Sequence, residues 1–207
     1  MKVEIKKEIA NSITHGIGIL FFITATPFLL YKAFHVKTIY LIACIVFALG
    51  LLMVYSSSTL YHAIQKESTK RKLRVYDHIS IYMLIGGSYT PFIAKYLVNP
   101  KAGTFLMIIW CIIALGIIMK FFFTGKYDFI STLSYLGLGW IAVFIGKPML
   151  QHMPDQVLTL LVIGGLSYSL GIIFYAWKKF TYHHAVWHCF VLCGSVTHFY
   201  GVWYALG

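Results

Sequence analysis

The sequence predicts an all-α membrane protein, a seven-transmembrane helix bundle, and three observations carry that prediction. Of the 207 residues, 59% are hydrophobic and only 11% are charged, more apolar surface than a soluble domain of this length can bury. The chain divides into seven uncharged or nearly uncharged runs of about 16–25 residues, long enough or nearly so to cross a hydrocarbon core of about 30 Å. The connections are only about 4–15 residues, which leaves no room for a second domain.

The segments fall at about 11–31, 38–62, 78–97, 102–122, 129–146, 156–177 and 184–205. The first is too long for a cleavable signal peptide and lacks a small-residue cleavage site, so it is expected to stay as a helix. The second closes on Ser56-Ser57-Ser58-Thr59-Leu60-Tyr61-His62, and the third opens with Asp77 and His78. Lys95, near the end of the third, can snorkel to the headgroups. The fourth, fifth and sixth carry little but apolar residues. The seventh begins His183-His184-Ala185-Val186-Trp187-His188.

Orientation follows from the basic residues. Twelve of the 17 lysines and arginines lie at the amino terminus or in the second, fourth and sixth connections, against five on the other side. The positive-inside rule then places the amino terminus in the cytoplasm and the carboxyl terminus outside, in the cell (plasma) membrane. Pro100, Pro148 and Pro154 fall in the outer connections, and Pro27 and Pro91 in outer halves of helices. The net charge of +11 is spread in short clusters between apolar runs, the pattern of orientation signals rather than of nucleic-acid binding. Cys44, Cys111, Cys189 and Cys193 all lie inside apolar segments, so they are expected to be small buried residues without a disulfide framework. Tyr31, Tyr40, Tyr127, Trp177, Tyr182 and Trp203 stand near segment ends, where interfacial aromatics belong.

This topology sorts the polar residues by depth. Helix 1 begins with Glu8, Asn11, Ser12, Thr14 and His15; His62 ends helix 2; Asp77 and His78 open helix 3; His184 and His188 lie in the first turns of helix 7. Four helices thus bring histidine or carboxylate to the inner leaflet. His184 and His188 are four residues apart, about 40° on one helical face, so two imidazole nitrogens can reach one ion. With His62 they make three nitrogen ligands for zinc, which leaves a fourth, open position of the kind that marks catalytic zinc. Asp77 is placed to hold water there and act as a general base. Ser58, one turn before His62 on the same face, is placed to support a ligand or to donate to an oxyanion.

Plainer roles exist for each residue taken singly. A membrane-buried histidine often makes an interhelical hydrogen bond worth about 1 kcal/mol. Asp77 suits a cap at a helix amino terminus, and Glu8 suits a cap or a partner for a lysine of its own segment. His198 is about 15 Å beyond His188 and cannot share its ion; bonding a neighbouring helix or lining a cavity fits it better. His183 is expected at the headgroups, His35 and His152 in solvated loops, and Cys189 and Cys193 in core packing.

Taken in order, Glu8-x2-Asn11-x2-Thr14-His15, Ser58-x3-His62, Asp77-His78 with Ser88-x2-Pro91, and His184-x3-His188 followed by His198-Phe199-Tyr200-Gly201-Val202 resemble the bacterial hemolysin III proteins. Those belong to the progestin and adipoQ receptor group that includes the adiponectin receptors. The resemblance spans nearly the whole chain. It implies seven helices, a cytoplasmic amino terminus and a zinc ion near the inner face, with His62, His184 and His188 as ligands and Asp77 contacting the zinc-bound water. The chain lacks the receptors' long amino-terminal extension, so hormone reception does not carry over.

Three functions compete. The open ligand set with Asp77 favours a zinc-dependent membrane hydrolase acting on a lipid amide or ester, with membrane lipid as its partner. A non-enzymatic cytolysin or pore former is suggested by the family name, but strongly apolar helices suit a resident membrane protein better. A regulator of membrane lipid composition or energetics is the third.

Overall fold

The computed structural model describes residues 2–97, 101–145 and 147–207 and, among them, contains helices and no strands. The helices are α1 (Lys2–Phe34), α2 (Thr38–Ala63), α3 (Glu67–Tyr96), α4 (Lys101–Phe123), α5 (Asp128–Ile145), the short α6 (Lys147–Leu150), α7 (Asp155–Ala176) and α8 (His183–Ala205). Seven long helices correspond one for one to the seven predicted segments. Pro100 and the predicted last residue of the fifth segment, 146, lie outside the described residues.

Two helices are longer than their apolar runs. α1 starts at Lys2 rather than 11, and α3 starts at Glu67 rather than near 78. Hydropathy marks where a helix enters the apolar layer, whereas the backbone hydrogen-bond ladder continues into the polar region beyond it. Asp77 is therefore ten residues inside α3 and buried, which removes the helix-cap reading.

Five helices (α1, α2, α4, α7, α8) are long and apolar enough to cross a membrane. α3 is not among them: charges crowd its first half (Lys70, Arg74, Asp77), and His78, Ser80, Ser88, Thr90 and Lys95 lower the hydropathy of the rest. Its place in the bundle explains the tolerance: α3 packs against α2, α4, α5, α6 and α8, so protein rather than lipid covers much of it. The α2–α3 crossing is close. A Cβ at Gly50 would stand 2.7 Å from the Met83 carbonyl oxygen, and one at Gly87 would stand 3.1 Å from that of Val46. Small residues allow this backbone approach, the usual device for packing helices where lipid supplies no hydrophobic drive.

The interior holds Phe22, Phe47, Leu51, Tyr55, Phe92 and Phe199. The exterior is as apolar, with Leu20, Phe28, Phe122, Phe129, Leu133 and Ile173 all exposed. An apolar coat of this extent belongs against acyl chains, and the protein is a membrane protein. The same coat corrects the cysteine expectation. All four are free, and only Cys44 is buried; Cys111, Cys189 and Cys193 face outward. In lipid an apolar residue gains little by turning inward, so apolarity does not distinguish core from surface.

Candidate metal centre

The start of α1, the end of α2, the middle of α3 and the start of α8 meet at one end of the bundle. One ring nitrogen from each of His62, His184 and His188 lies within 4.8 Å of the others. The ring centroids are 4.5 Å apart for His184 and His188, 5.1 Å for His62 and His184, and 5.2 Å for His62 and His188. Tetrahedral zinc with ligands at about 2.1 Å separates its nitrogens by roughly 3.4 Å. Side-chain adjustments of about 1 Å would complete that geometry.

The hydrogen bonds fix which nitrogens are free. Nδ1 of His62 lies 2.7 Å from Glu8 Oε2. A carboxylate only accepts, so Nδ1 carries the proton and Nε2 keeps its lone pair. Nδ1 of His188 lies 3.2 Å from the Asn11 carbonyl oxygen and 3.2 Å from Thr14 Oγ1. That carbonyl assigns the same tautomer. The Nε2 atoms of His62, His184 and His188 are all buried and have no hydrogen-bond partner among the described residues. A buried acceptor without a donor costs about 1–3 kcal/mol, and three facing one another are best explained by a shared cation. The donor set, three neutral imidazoles, suits zinc.

α1 is the support for this cluster. Glu8 grips His62 with one oxygen and Lys70 of α3 with the other, at 3.0 Å. Glu8 therefore pairs across helices, not with a lysine of its own segment; Lys7 takes Glu4 instead. The Asn11 side-chain amide lies 3.4 Å from His62 Nδ1. His15 is buried, stacks on His188 at 3.7 Å and meets the edge of Tyr55 at 4.9 Å, holding the His188 ring from behind. The sequence placed Asn11 and His15 beside Glu8 without a role; the spacing of three and four residues, one face of α1, was the signal.

Asp77 and Ser58 are both buried, and their side chains face each other across the α2–α3 crossing. His78 donates from Nδ1 to the Arg74 carbonyl at 2.8 Å, and that nitrogen lies 3.8 Å from Asp77 Oδ2.

Beside these residues opens a cavity of about 450 Å³. His15, Asp77, His78 and His184 border its polar end; Leu84, Phe92, Trp140, Leu158 and Leu161 line the apolar remainder. His198 lies along it and reaches the Leu161 carbonyl from Nε2 at 3.2 Å, so both roles expected for it hold. His183 is half-buried at the mouth, with Nδ1 3.0 Å from the Phe174 carbonyl oxygen, and His35 and His152 are exposed.

A family model described as Haemolysin-III related matches residues 3–199. The chain is 42% identical over 199 residues to the hemolysin-3 homolog of Bacillus subtilis (strain 168), covering 96% of this chain and 93% of that one. It is 39% identical to hemolysin-3 of Bacillus cereus, covering 96% and 91%. It is also 29% identical over 164 residues to the human monocyte to macrophage differentiation factor, covering 76% and 68%.

Proposed function

We propose that this chain, which belongs to the haemolysin-III related family, is a zinc-dependent hydrolase of a lipid amide or ester bond in the cell membrane, with its metal centre at the cytoplasmic face. The observation that carries the reading is the trio of buried, unpartnered Nε2 atoms converging from α2 and α8. His62, His184 and His188 would hold the ion. Zinc held there supplies Lewis acidity, polarising a carbonyl and making water a nucleophile near neutral pH.

The chain's own residues divide the remaining work. Asp77, a carboxylate that borders the same cavity as His184, takes the proton from attacking water. Ser58 holds that carboxylate in position. Glu8, Asn11 and Thr14 hold His62 and His188 in the tautomer that presents Nε2. The apolar cavity takes an acyl chain, with the bond to be cut near its polar end.

The test is metal content and turnover of the purified protein. Wild type should carry about one zinc and His188→Ala none. Asp77→Asn should keep zinc and lose hydrolysis of lipid amides or esters. Wild type without bound metal refutes the reading, and so does zinc-loaded protein inactive on every lipid offered. A cytolytic activity is favoured only by the names of the family and of its Bacillus relatives; erythrocyte lysis unaffected by His184→Ala would select it instead.

A further inference from the structure

His78 follows Asp77 directly in α3 and takes no part in holding the metal. Consecutive residues stand about 100° apart on a helix, so the two side chains cover adjacent sectors. Asp77 meets Ser58 at the α2–α3 crossing, whereas the His78 side chain borders the cavity and is 15% exposed. Two bonds fix its position. Nδ1 lies 2.8 Å from the Arg74 carbonyl oxygen one turn back, and the Tyr135 hydroxyl of α5 donates to the His78 carbonyl oxygen at 3.1 Å. A carbonyl only accepts, so Nδ1 carries the proton and Nε2 keeps its lone pair. Nε2 bonds no described residue, and unlike Nε2 of His62, His184 and His188 it is not sealed inside the protein. A molecule in the cavity can reach it.

Hydrolysis moves a proton at two places. Water attacking an acyl carbon gives one up, and the nitrogen or oxygen that leaves must take one or depart as a strong base. Asp77, held by Ser58, serves the first place. Other groups near the polar end are committed or out of reach for the second. Arg74 gives its guanidinium to Asp128 at 3.3 Å, and a guanidinium does not release a proton. Lys120 is 3% exposed, lies beside Asp128 and does not line the cavity. Lys178 is exposed at the rim. His183 stands at the mouth with Nδ1 at the Phe174 carbonyl.

We propose that His78 is the acid of the reaction: its Nε2 receives the proton that Asp77 removes from water and delivers it to the leaving atom of the lipid. The step balances. One water O–H bond and the acyl C–N or C–O bond break. A C–O bond from water to the acyl carbon and an N–H or O–H bond on the leaving atom form. The Asp77 carboxylate and the neutral His78 ring are both restored. With Nδ1 3.8 Å from Asp77 Oδ2, the carboxylate offsets the charge of the imidazolium while it lasts, and a single water can hand the proton from one group to the other. The inference rests on the hydrolase reading and adds a second residue to its chemistry.

The experiment compares substrates that share one acyl chain on the purified full-length protein. An alkyl amide and an alkyl ester have leaving atoms that need a proton; a p-nitrophenyl ester releases a phenolate that does not. A positioned acid contributes about 10²–10⁴-fold, so His78→Gln should lower turnover of the alkyl substrates about 100-fold or more and that of the p-nitrophenyl ester about threefold at most. His78→Ala should show the same split, and added imidazole should raise its alkyl-substrate turnover about tenfold. Zinc content and unfolding temperature should match wild type in both variants, because His78 holds neither the metal nor a second element by its ring. Equal loss on all three substrates makes the ring a tie within α3 and overturns the proposal, as does alkyl-substrate turnover within about threefold of wild type. Zinc lost from both variants assigns His78 to the metal and overturns it too. Wild type that carries zinc and hydrolyses none of the three ends the hydrolase reading and this inference with it. Wild type that hydrolyses them beside unaffected His78 variants ends this inference alone.

Discussion

Replacing Glu8 with glutamine isolates the contribution of α1 to the proposed metal centre. The 2.7 Å contact from His62 Nδ1 to Glu8 Oε2 is a hydrogen bond to an ionised acceptor, a class worth about 1.5–3 kcal/mol. Glutamine keeps its carbonyl and hence a neutral bond of about 0.5–1.5 kcal/mol. The difference, about 1–1.5 kcal/mol, corresponds to roughly a tenfold loss of zinc affinity. That is the lower end of the 10–100-fold range seen when a carboxylate behind a metal-bound histidine is removed. The lower end is expected because Glu8 is 27% exposed and shares its charge with Lys70. The assay is a chelator competition titration on purified Glu8→Gln, wild type and His188→Ala, with helix content followed by circular dichroism. A Glu8→Gln affinity within about twofold of wild type, beside a His188→Ala protein that binds no zinc, would refute the reasoning and reduce Glu8 to a tie between α1 and α3.

Other outcomes follow from the same geometry. Asn11→Ala should change zinc affinity less than Glu8→Gln, within about threefold, because His188 bonds the main-chain oxygen of Asn11, which alanine keeps; the same titration reads it. Gly50→Ala should destabilise the protein by about 1–3 kcal/mol, since its Cβ would press on the Met83 backbone, whereas Gly16→Ala meets nothing within 4 Å and should leave the melting temperature unchanged or higher. Arg71→Gln breaks only an exposed pair with Glu67 at 3.3 Å and should alter thermal stability by less than about 0.5 kcal/mol.

The sequence singled out the three histidines, Asp77 and Ser58 as candidates, because imidazole and carboxylate in an apolar helix have few inexpensive explanations and helical spacing alone brings His184 and His188 to one face. It could not give Glu8 its partner. The pairing joins residues 54 apart in sequence, and every local rule pointed to the lysines of its own segment. Nor could it separate buried from lipid-facing cysteines, since both environments are apolar.

What the chain determined by itself is therefore the number of long helices and their order, because burying backbone in hydrocarbon demands long apolar helices whatever surrounds them. Only the tertiary structure decided lateral neighbours: that α1 turns Glu8 and Asn11 toward His62, that His15 stacks on His188, and that Lys120 is shut inside beside Asp128. Hydropathy measures distance along the membrane normal. Rotation and contact within the plane are set by packing of small residues and by pairing of polar groups between helices, and the histidine pair became a three-sided centre only through those contacts.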